Sequence, residues 1–418
     1  MLGAGIAGAT VGKCLSDAGC RVHLVDRLPS IGGRVADMGC KATQICLRCN
    51  ICVANDLLRI VAARETIEIH TRTELVKLEN GTNGSRYLAT LTHQPTFIER
   101  DKCIGCQACV GICPEKCITT PKVPLSPGVP VIDYSLCRLS SGKECSKCEK
   151  ACPTDAINMK QKVVQDVINA DYVVIATGFE PYNPAVNAAY GYGKAANVIT
   201  GIEAEKQLAD HHKLTRPSDG QPPKRVAFIQ CVGSRSETIE RRPEDTDYCS
   251  AVCCAYALRM ARLLKYHSSE CQVTVFYMDI QKFGKGFNQF YKQCRDDMTF
   301  IRSRPYEIKQ GQGGCVSVKY APQSPPQNAS SQVCEQEFDM VILAVGIRPA
   351  PDAATLAEAL QVPLDEHGFF GLKGAAPLPV LQRDGIFVAG ACESPKDIQS
   401  CMRQAEAVSA AIISENKN

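Results

Sequence analysis

Short, almost unbroken apolar runs recur along the chain and end at a glycine. They are Ala170–Ala176 before Thr177-Gly178, Arg225–Gln230 before Cys231-Val232-Gly233, Phe338–Val345 before Gly346, and Gly385–Ala389 before Gly390. Runs of this length without two-residue alternation predict strands buried on both faces of a parallel sheet. Gln272–Asp279 and Val316–Tyr320 read as further strands. Helical spacing follows Gly5 as far as Ala18, runs from Ala255 to Tyr266 with apolar Leu258, Ala261, Leu263 and Leu264, and runs again from Lys396 to about Ile413. Alternation is confined to Glu65–Thr92, which predicts a small β-meander turning at Gly81-Thr82-Asn83-Gly84. The pattern is that of an α/β protein built from two dinucleotide-type units.

The first unit opens on Gly3, Gly5, Ala7 and Gly8, followed by a helix and by the strand Arg21–Asp26. A Gly-rich turn, a helix, a strand and an acid about 20 residues on make a dinucleotide fingerprint, with Asp26 placed to bind a ribose hydroxyl. Almost no strand precedes Gly3, so the expectation is that the true start lies upstream or that the chain was trimmed. Arg27 and the Ile31-Gly32-Gly33-Arg34 turn continue a flavin-type cradle. Ala176-Thr177-Gly178 and Gly390-Ala391 are expected to close it, with Lys396, Asp397 and Ile398 starting a helix whose dipole faces the flavin. Ala391 stands where such elements carry an acid, so one ribityl hydrogen bond is expected to be lost or moved.

Composition changes the picture through 25 cysteines among 418 residues. With no secretory apolar segment, that density points to metal ligation in a reducing compartment, hence a cytoplasmic protein. No run approaches the roughly 18 apolar residues of a spanning helix. A formal charge of +3 offers nothing for nucleic acid or an acidic membrane. Four [4Fe-4S] clusters at about −2 each with their thiolates would turn that into roughly −5.

Three cysteine sets carry the chemistry. Cys103-x2-Cys106-x2-Cys109-x3-Cys113-Pro114 followed by Cys137-x7-Cys145-x2-Cys148-x3-Cys152-Pro153 is the run of a two-cluster ferredoxin, with Cys137 set off by a longer loop. In that fold each fourth cysteine serves the other cluster. One site would then use Cys103, Cys106, Cys109 and Cys152, and the other Cys137, Cys145, Cys148 and Cys113. Cys117 is left as a packed thiol. Cys40, Cys46, Cys49 and Cys52 can wrap a further cluster, zinc being the competing metal. The third set is Cys231, Cys249, Cys253 and Cys254. It sits where a second dinucleotide turn would be, but Cys231-Val232-Gly233-Ser234 has one glycine and lacks the close approach a pyrophosphate requires. An iron-sulfur cluster is expected in place of a nicotinamide.

The expected organisation is therefore an FAD-binding domain in three segments, 1–96 with the Cys40–Cys52 cluster loop, 158–216 and 338–418. An inserted two-cluster ferredoxin occupies 97–157, and a nicotinamide-domain-like unit carrying a cluster occupies 217–337. The Pro/Gly-rich 217–223 forms the crossing, and Pro322–Ser331 is expected to be the most mobile segment.

Taken in order, these motifs, with Met278-Asp279-Ile280, Phe283-Gly284-Lys285-Gly286 and Pro395-Lys396-Asp397-Ile398, resemble the A subunit of heterodisulfide reductase (HdrA). Similar proteins are the A subunit of the quinone-interacting oxidoreductase of sulfate reducers and the HdrA-like subunit of class II benzoyl-CoA reductase. The resemblance implies a thioredoxin-reductase-like flavoprotein with an inserted ferredoxin. It also implies FAD, a cluster on Cys231, Cys249, Cys253 and Cys254, and work inside a multisubunit anaerobic oxidoreductase. Partners would be other redox subunits (HdrB/HdrC-like or other iron-sulfur or flavin subunits), with a homodimer inside the larger complex. Several members bifurcate electron pairs, using a lysine near the flavin where this chain has Arg259. Arginine does not readily give up a proton.

Three functions compete. The first is an electron relay between FAD and clusters, with bifurcation or confurcation as a special case. The second is a stand-alone NAD(P)H-dependent iron-sulfur flavoenzyme, which would need a Gly-rich fingerprint after Gln230. The third is a scaffold stapled by zinc. The histidines form no catalytic constellation in the sequence. Of the unassigned cysteines only Cys392, beside the flavin turn, invites mutation.

Overall fold

The computed structural model describes residues 1–418 except 82–83, 122–127, 237–244, 282–283, 323–332, 372–382 and 417–418. The tip of the expected meander turn, nearly all of the Pro-rich 322–331 loop, and Lys282-Phe283 fall outside the described residues.

The flavin unit is a parallel sheet of Ile67–Thr71, Val22–Asp26, Val173–Ile175 and Ile386–Val388, with its central rung supplied by one residue. Leu2 bridges Val25 on one side and Ile175 on the other. Its amide donates to Val174 O (2.9 Å), its carbonyl accepts from Ala176 N (2.7 Å), and Gly3 N donates to Val25 O (2.7 Å). Leu2 thus hydrogen-bonds to the strands on both sides of it. The helix Ile6–Asp17 packs against Ile51–Ala62 and the C-terminal Ile398–Glu415 over Ala9, Val11, Leu58, Ala405 and Val408. Asp397 caps that last helix by accepting from Ser400 N (2.8 Å). On the other face lies the antiparallel meander Thr73–Asn80, Tyr87–His93 and Val164–Ala170. The ferredoxin module enters between its second and third strands.

The second unit is a five-stranded parallel sheet in the order Val198–Thr200, Met340–Val345, Arg225–Val232, Gln272–Tyr277, Thr299–Arg302. Val226 and Phe228 face Ala257, Leu258 and Ala261 of the helix Cys253–His267. Ala227 and Ile229 face Ile308, Val316 and Val318 of an antiparallel three-stranded layer. This corrects the expected boundaries. The strands at 198–200 and 340–345 hydrogen-bond into the second unit, whose sheet reaches 198–345 rather than 217–337. Met340–Val345 and Val173–Ile175 are equally apolar runs ending in glycine, and nothing local in either says which sheet completes it. Each is followed by a short extended piece, Phe179–Pro181 and Ile347–Pro349. These two pair antiparallel and tie the units together.

The inserted module shows an internal two-fold repetition. Ile118 pairs with Ile132, and in the other half Ile157 pairs with Ile98. Single-turn helices Ala108–Ile112 and Lys147–Ala151 lie inside the two cysteine runs and carry Cys109 and Cys148.

Candidate functional site

A cavity of about 810 Å³ runs from the first Gly-rich turn to the second unit. Fourteen residues assigned to the cofactor from sequence line it: Gly3, Gly5, Ala7, Asp26, Arg27, Gly33, Arg34, Ala176, Thr177, Gly178, Ala391, Lys396, Asp397 and Ile398. Gly5 is the N-cap of the helix Ile6–Asp17, and a Cβ built there meets nothing within 4 Å. The first-turn amides therefore face open space, the arrangement a pyrophosphate uses. Asp26 accepts from Ala4 N (2.6 Å) and Leu28 N (2.8 Å), which pins the turn to the strand end and leaves lone pairs for a ribose. Burial pushes its carboxyl above the ordinary value. Thr177 Oγ1 and Tyr256 Oη are buried in the cavity wall with no partner, as expected of groups meant for a ligand. These features fit a flavin dinucleotide.

Gly8 and Gly390 are corrections, because they pack elements together rather than line the cavity. A Cβ on Gly8 would lie 1.9 Å from Gly3 O, and one on Gly390 would lie 2.7 Å from Ala7 Cβ. Only glycine lets these backbones approach.

The second turn is built differently. The strand Arg225–Val232 slips register between Ile229 and Val232, and Cys231 adopts a left-handed φ of 59°. Such strain in a non-glycine residue collects at functional sites. Gly233 faces Tyr182 so closely that a Cβ would stand 2.2 Å from its ring. Tyr182 is buried and donates to Asp245 (2.9 Å). An aromatic ring thus occupies the space where a phosphate would approach the backbone. The turn gathers Cys231, Cys249, Cys253 and Cys254. Burial, then the facing thiols of Cys231, Cys254 and Cys249, push Cys253 far above the thiol range. Cys254 is pushed up to about 11, again chiefly by burial. Ala251, at φ 60°, turns its amide onto Cys249 Sγ (3.3 Å). Arg235 faces Cys231 and Cys249 and is held by Asp279 through two bonds (2.5 and 3.1 Å), which gives the Met278-Asp279-Ile280 motif its role.

The Cys40–Cys52 loop lies against the cavity at Cys49. Left-handed Arg48 and Asn50 flank that thiol, and amides of Ala42 and Arg48 point at Cys40 Sγ and Cys46 Sγ (3.4 Å each). Cys40, Cys46 and Cys52 are exposed. Arg259 lines the cavity, and its Nε and Nη2 donate to Leu47 O (2.8 Å) and Arg48 O (3.3 Å). It is a strut between the cysteine-bearing helix and the first cysteine loop.

Two cavity residues escaped the sequence reading. Lys41 and Glu205 form a buried ion pair, their side chains 2% and 6% exposed, and Lys41 also donates to Gly39 O (2.8 Å). A lysine beside Cys40 was the available signal; its partner is 164 residues away.

In the inserted module Cys103 and Cys106 face Cys109, and Cys145 faces Cys148. Arg138 lies within electrostatic reach of both Cys145 and Cys113. Cys117 is buried with its Sγ 3.4 Å from Cys113 Sγ, and it also faces Cys137. The fourth cysteine of the first run thus stands with the second run. Cys152 receives Ala156 N on its sulfur (3.2 Å).

Among the described residues no helix is long and apolar enough to cross a membrane. A family described as "4Fe-4S dicluster domain" matches residues 102–156, and an "NAD(P)-binding Rossmann-like domain" matches residues 2–39. The T. acidophilum thioredoxin reductase structure superimposes over 100% of this chain and 97% of its own, with a TM-score of 0.53 at 15% identity, a likeness of fold. The A subunit of the H(2):CoB-CoM heterodisulfide,ferredoxin reductase of Methanothermobacter marburgensis is 33% identical over 98% of the chain. The iron-sulfur A subunit of the CoB--CoM heterodisulfide reductase of Methanocaldococcus jannaschii is 33% identical over 99%. The chain spans 62% and 63% of the lengths of these two relatives. Over nearly its whole length the chain is similar to heterodisulfide reductase A subunits, and its inserted segment matches a dicluster iron-sulfur domain.

Proposed function

We propose that the chain relays electrons between FAD in the 810 Å³ cavity and [4Fe-4S] clusters at three places: two in the inserted module, one at Cys231–Cys254 and one at Cys40–Cys52. Bound FAD would exchange electrons in pairs or singly, and the clusters would carry them one at a time. The chain's own role is to hold these groups in contact: Cys49 and the Ala251-Val252 segment between Cys249 and Cys253 both wall the flavin cavity. Arg235 and Arg304 face Cys231, where negative charge would collect.

The observation that carries this reading is the contrast between the two glycine turns. Gly5 opens onto the cavity, while Gly233 is roofed by Tyr182, which argues against a stand-alone NAD(P)H enzyme. The zinc scaffold is disfavoured by spacing. Among the described residues no three cysteine sulfurs lie within 4.8 Å of one another. A tetrahedral thiolate site with Zn–S of ~2.3 Å needs them about 3.8 Å apart. Arg259, engaged with two carbonyls, favours plain relay over bifurcation. Substrate chemistry would lie on partner redox subunits, as the relatives' names as reductase subunits suggest. The test is anaerobic. The purified chain should carry FAD, show cluster signals beyond those of the ferredoxin pair, and keep its flavin colour when given NADH. Rapid bleaching by NADH would overturn the assignment.

Cys117 adds a prediction. The internal repeat sets it opposite Ala156, each followed by the isoleucine of a paired strand. Burial alone would raise the Cys113 thiol, but the Cys117 bond and backbone amides bring it below its ordinary value. A thiol donating to one ligand sulfur should raise the potential of that site alone. Cys117→Ala is expected to lower one of the two ferredoxin potentials by on the order of 20–40 mV, equivalent to ~0.5–1 kcal/mol at ~59 mV per 1.4 kcal/mol. Potentiometric EPR would check it.

A further inference from the structure

Away from the flavin cavity, on the edge of the first unit, three side chains converge that no role above uses. His23 on Val22–Asp26 is the direct partner of Glu68 on the parallel strand Ile67–Thr71, and His70 follows two positions later on the same face. His23 Nδ1 and His70 Nε2 lie 3.1 Å apart. Glu68 offers one oxygen 3.4 Å from His23 Nδ1 and the other 3.6 Å from His70 Nε2. Their side chains are 21%, 49% and 10% exposed, so the cluster is half-sunk with Glu68 toward solvent.

We propose that His23, Glu68 and His70 bind a divalent first-row transition ion of the zinc class, which staples the two strands together. Metal bonds of 2.0–2.2 Å in a tetrahedron place neighbouring ligand atoms about 3.3–3.6 Å apart. The two nitrogens stand 3.1 Å apart and each faces a different Glu68 oxygen, at 3.4 and 3.6 Å, with one ligand atom from each residue within 4.8 Å of the others, so a modest side-chain rotation would bring them to that spacing. Both contacts to Glu68 are longer than a good hydrogen bond, so the carboxylate is near the rings without being spent on them.

The surroundings fit a wall rather than a fourth ligand. His93 packs against His70 at 5.6 Å between ring centroids, but both its nitrogens are engaged, by Thr73 Oγ1 (3.0 Å) and Asp166 (2.9 Å). Solvent would complete the coordination. The competitor is Arg21, 3.1 Å from Glu68 but largely exposed, and an exposed pair of that kind is weak and screened by salt. The site would fix the strand that ends in Asp26.

The test uses the cluster-loaded, flavin-loaded protein under anaerobic equilibrium dialysis against micromolar Zn²⁺. Metal is counted per chain, and iron, sulfide and flavin in the same samples report correct folding. The wild type should hold one more zinc than His70→Ala or His23→Ala, each with affinity weakened about tenfold or more. His93→Ala should retain it. Zinc should raise the Tm of the wild type and not that of His70→Gln. Equal zinc in wild type and His70→Ala, or a loss in His93→Ala as large as in His70→Ala, would overturn the site. Neither outcome touches the relay, whose iron and flavin contents are read separately.

Discussion

Cys253→Ser should leave the chain short of about four irons and a matching amount of sulfide, with the ferredoxin signals and the flavin intact. Cys253 is buried at the start of the helix Cys253–His267 and faces the other three thiols. A serine oxygen there would be a hard, reluctant ligand in a pocket that disfavours charge, so the site should fail to assemble rather than adapt. Cys231→Ser should give the same deficit and also leave its left-handed backbone without the group it serves. Iron and sulfide analysis with EPR of the reduced protein decides the matter; unchanged iron in both variants would remove the third cysteine set from the relay. Because the set lies beside the flavin cavity, electrons put into the flavin should then reach one side of the chain only.

Lys41→Met should destabilise the fold by about 3–5 kcal/mol, a large share of the roughly 5–15 kcal/mol of an ordinary domain. The reason is Glu205, which would be left buried without its counter-charge. Lys41→Met with Glu205→Leu should recover most of the loss, since an apolar pair of similar volume replaces the buried ions at little cost. The pH dependence has a definite sign. Burial already raises the Glu205 carboxyl above its ordinary 4.5, and without Lys41 it rises further. A group whose folded pKa is raised favours folding below its unfolded value and loses that contribution as pH climbs through the folded one. The single variant should therefore be nearest to wild type below about pH 4.5 and fall behind as pH rises. Denaturant melts of wild type, single and double variants across that window check both expectations. Equal losses in the single and double variants would show that the pair does not act as a pair.

What could be read without coordinates was whatever the chain encodes locally. Gly3, Gly5 and Asp26 belong to one turn-helix-strand unit, and the ferredoxin run carries its spacing in a single stretch. The Cys231 set was legible because a cysteine turn replaced a glycine turn after a recognisable strand. What stayed hidden depends on partners far along the chain. Val198–Thr200 and Met340–Val345 look like flavin-unit strands until their hydrogen bonds are seen. Tyr182 roofs Gly233 from 51 positions away, a separation that follows from their numbers. His23 and His70 are 47 positions apart, and a parallel pairing, not sequence proximity, sets them side by side.

The guanidinium of Arg259 spans from the cysteine-bearing helix of one unit to the carbonyls of the cysteine loop in the other. Tunnelling between redox centres falls steeply with separation, so in the proposed relay a bolt at this joint would set the rate by construction rather than by chance encounter. Cutting it, as in Arg259→Ala, would convert a fixed gap into a fluctuating one.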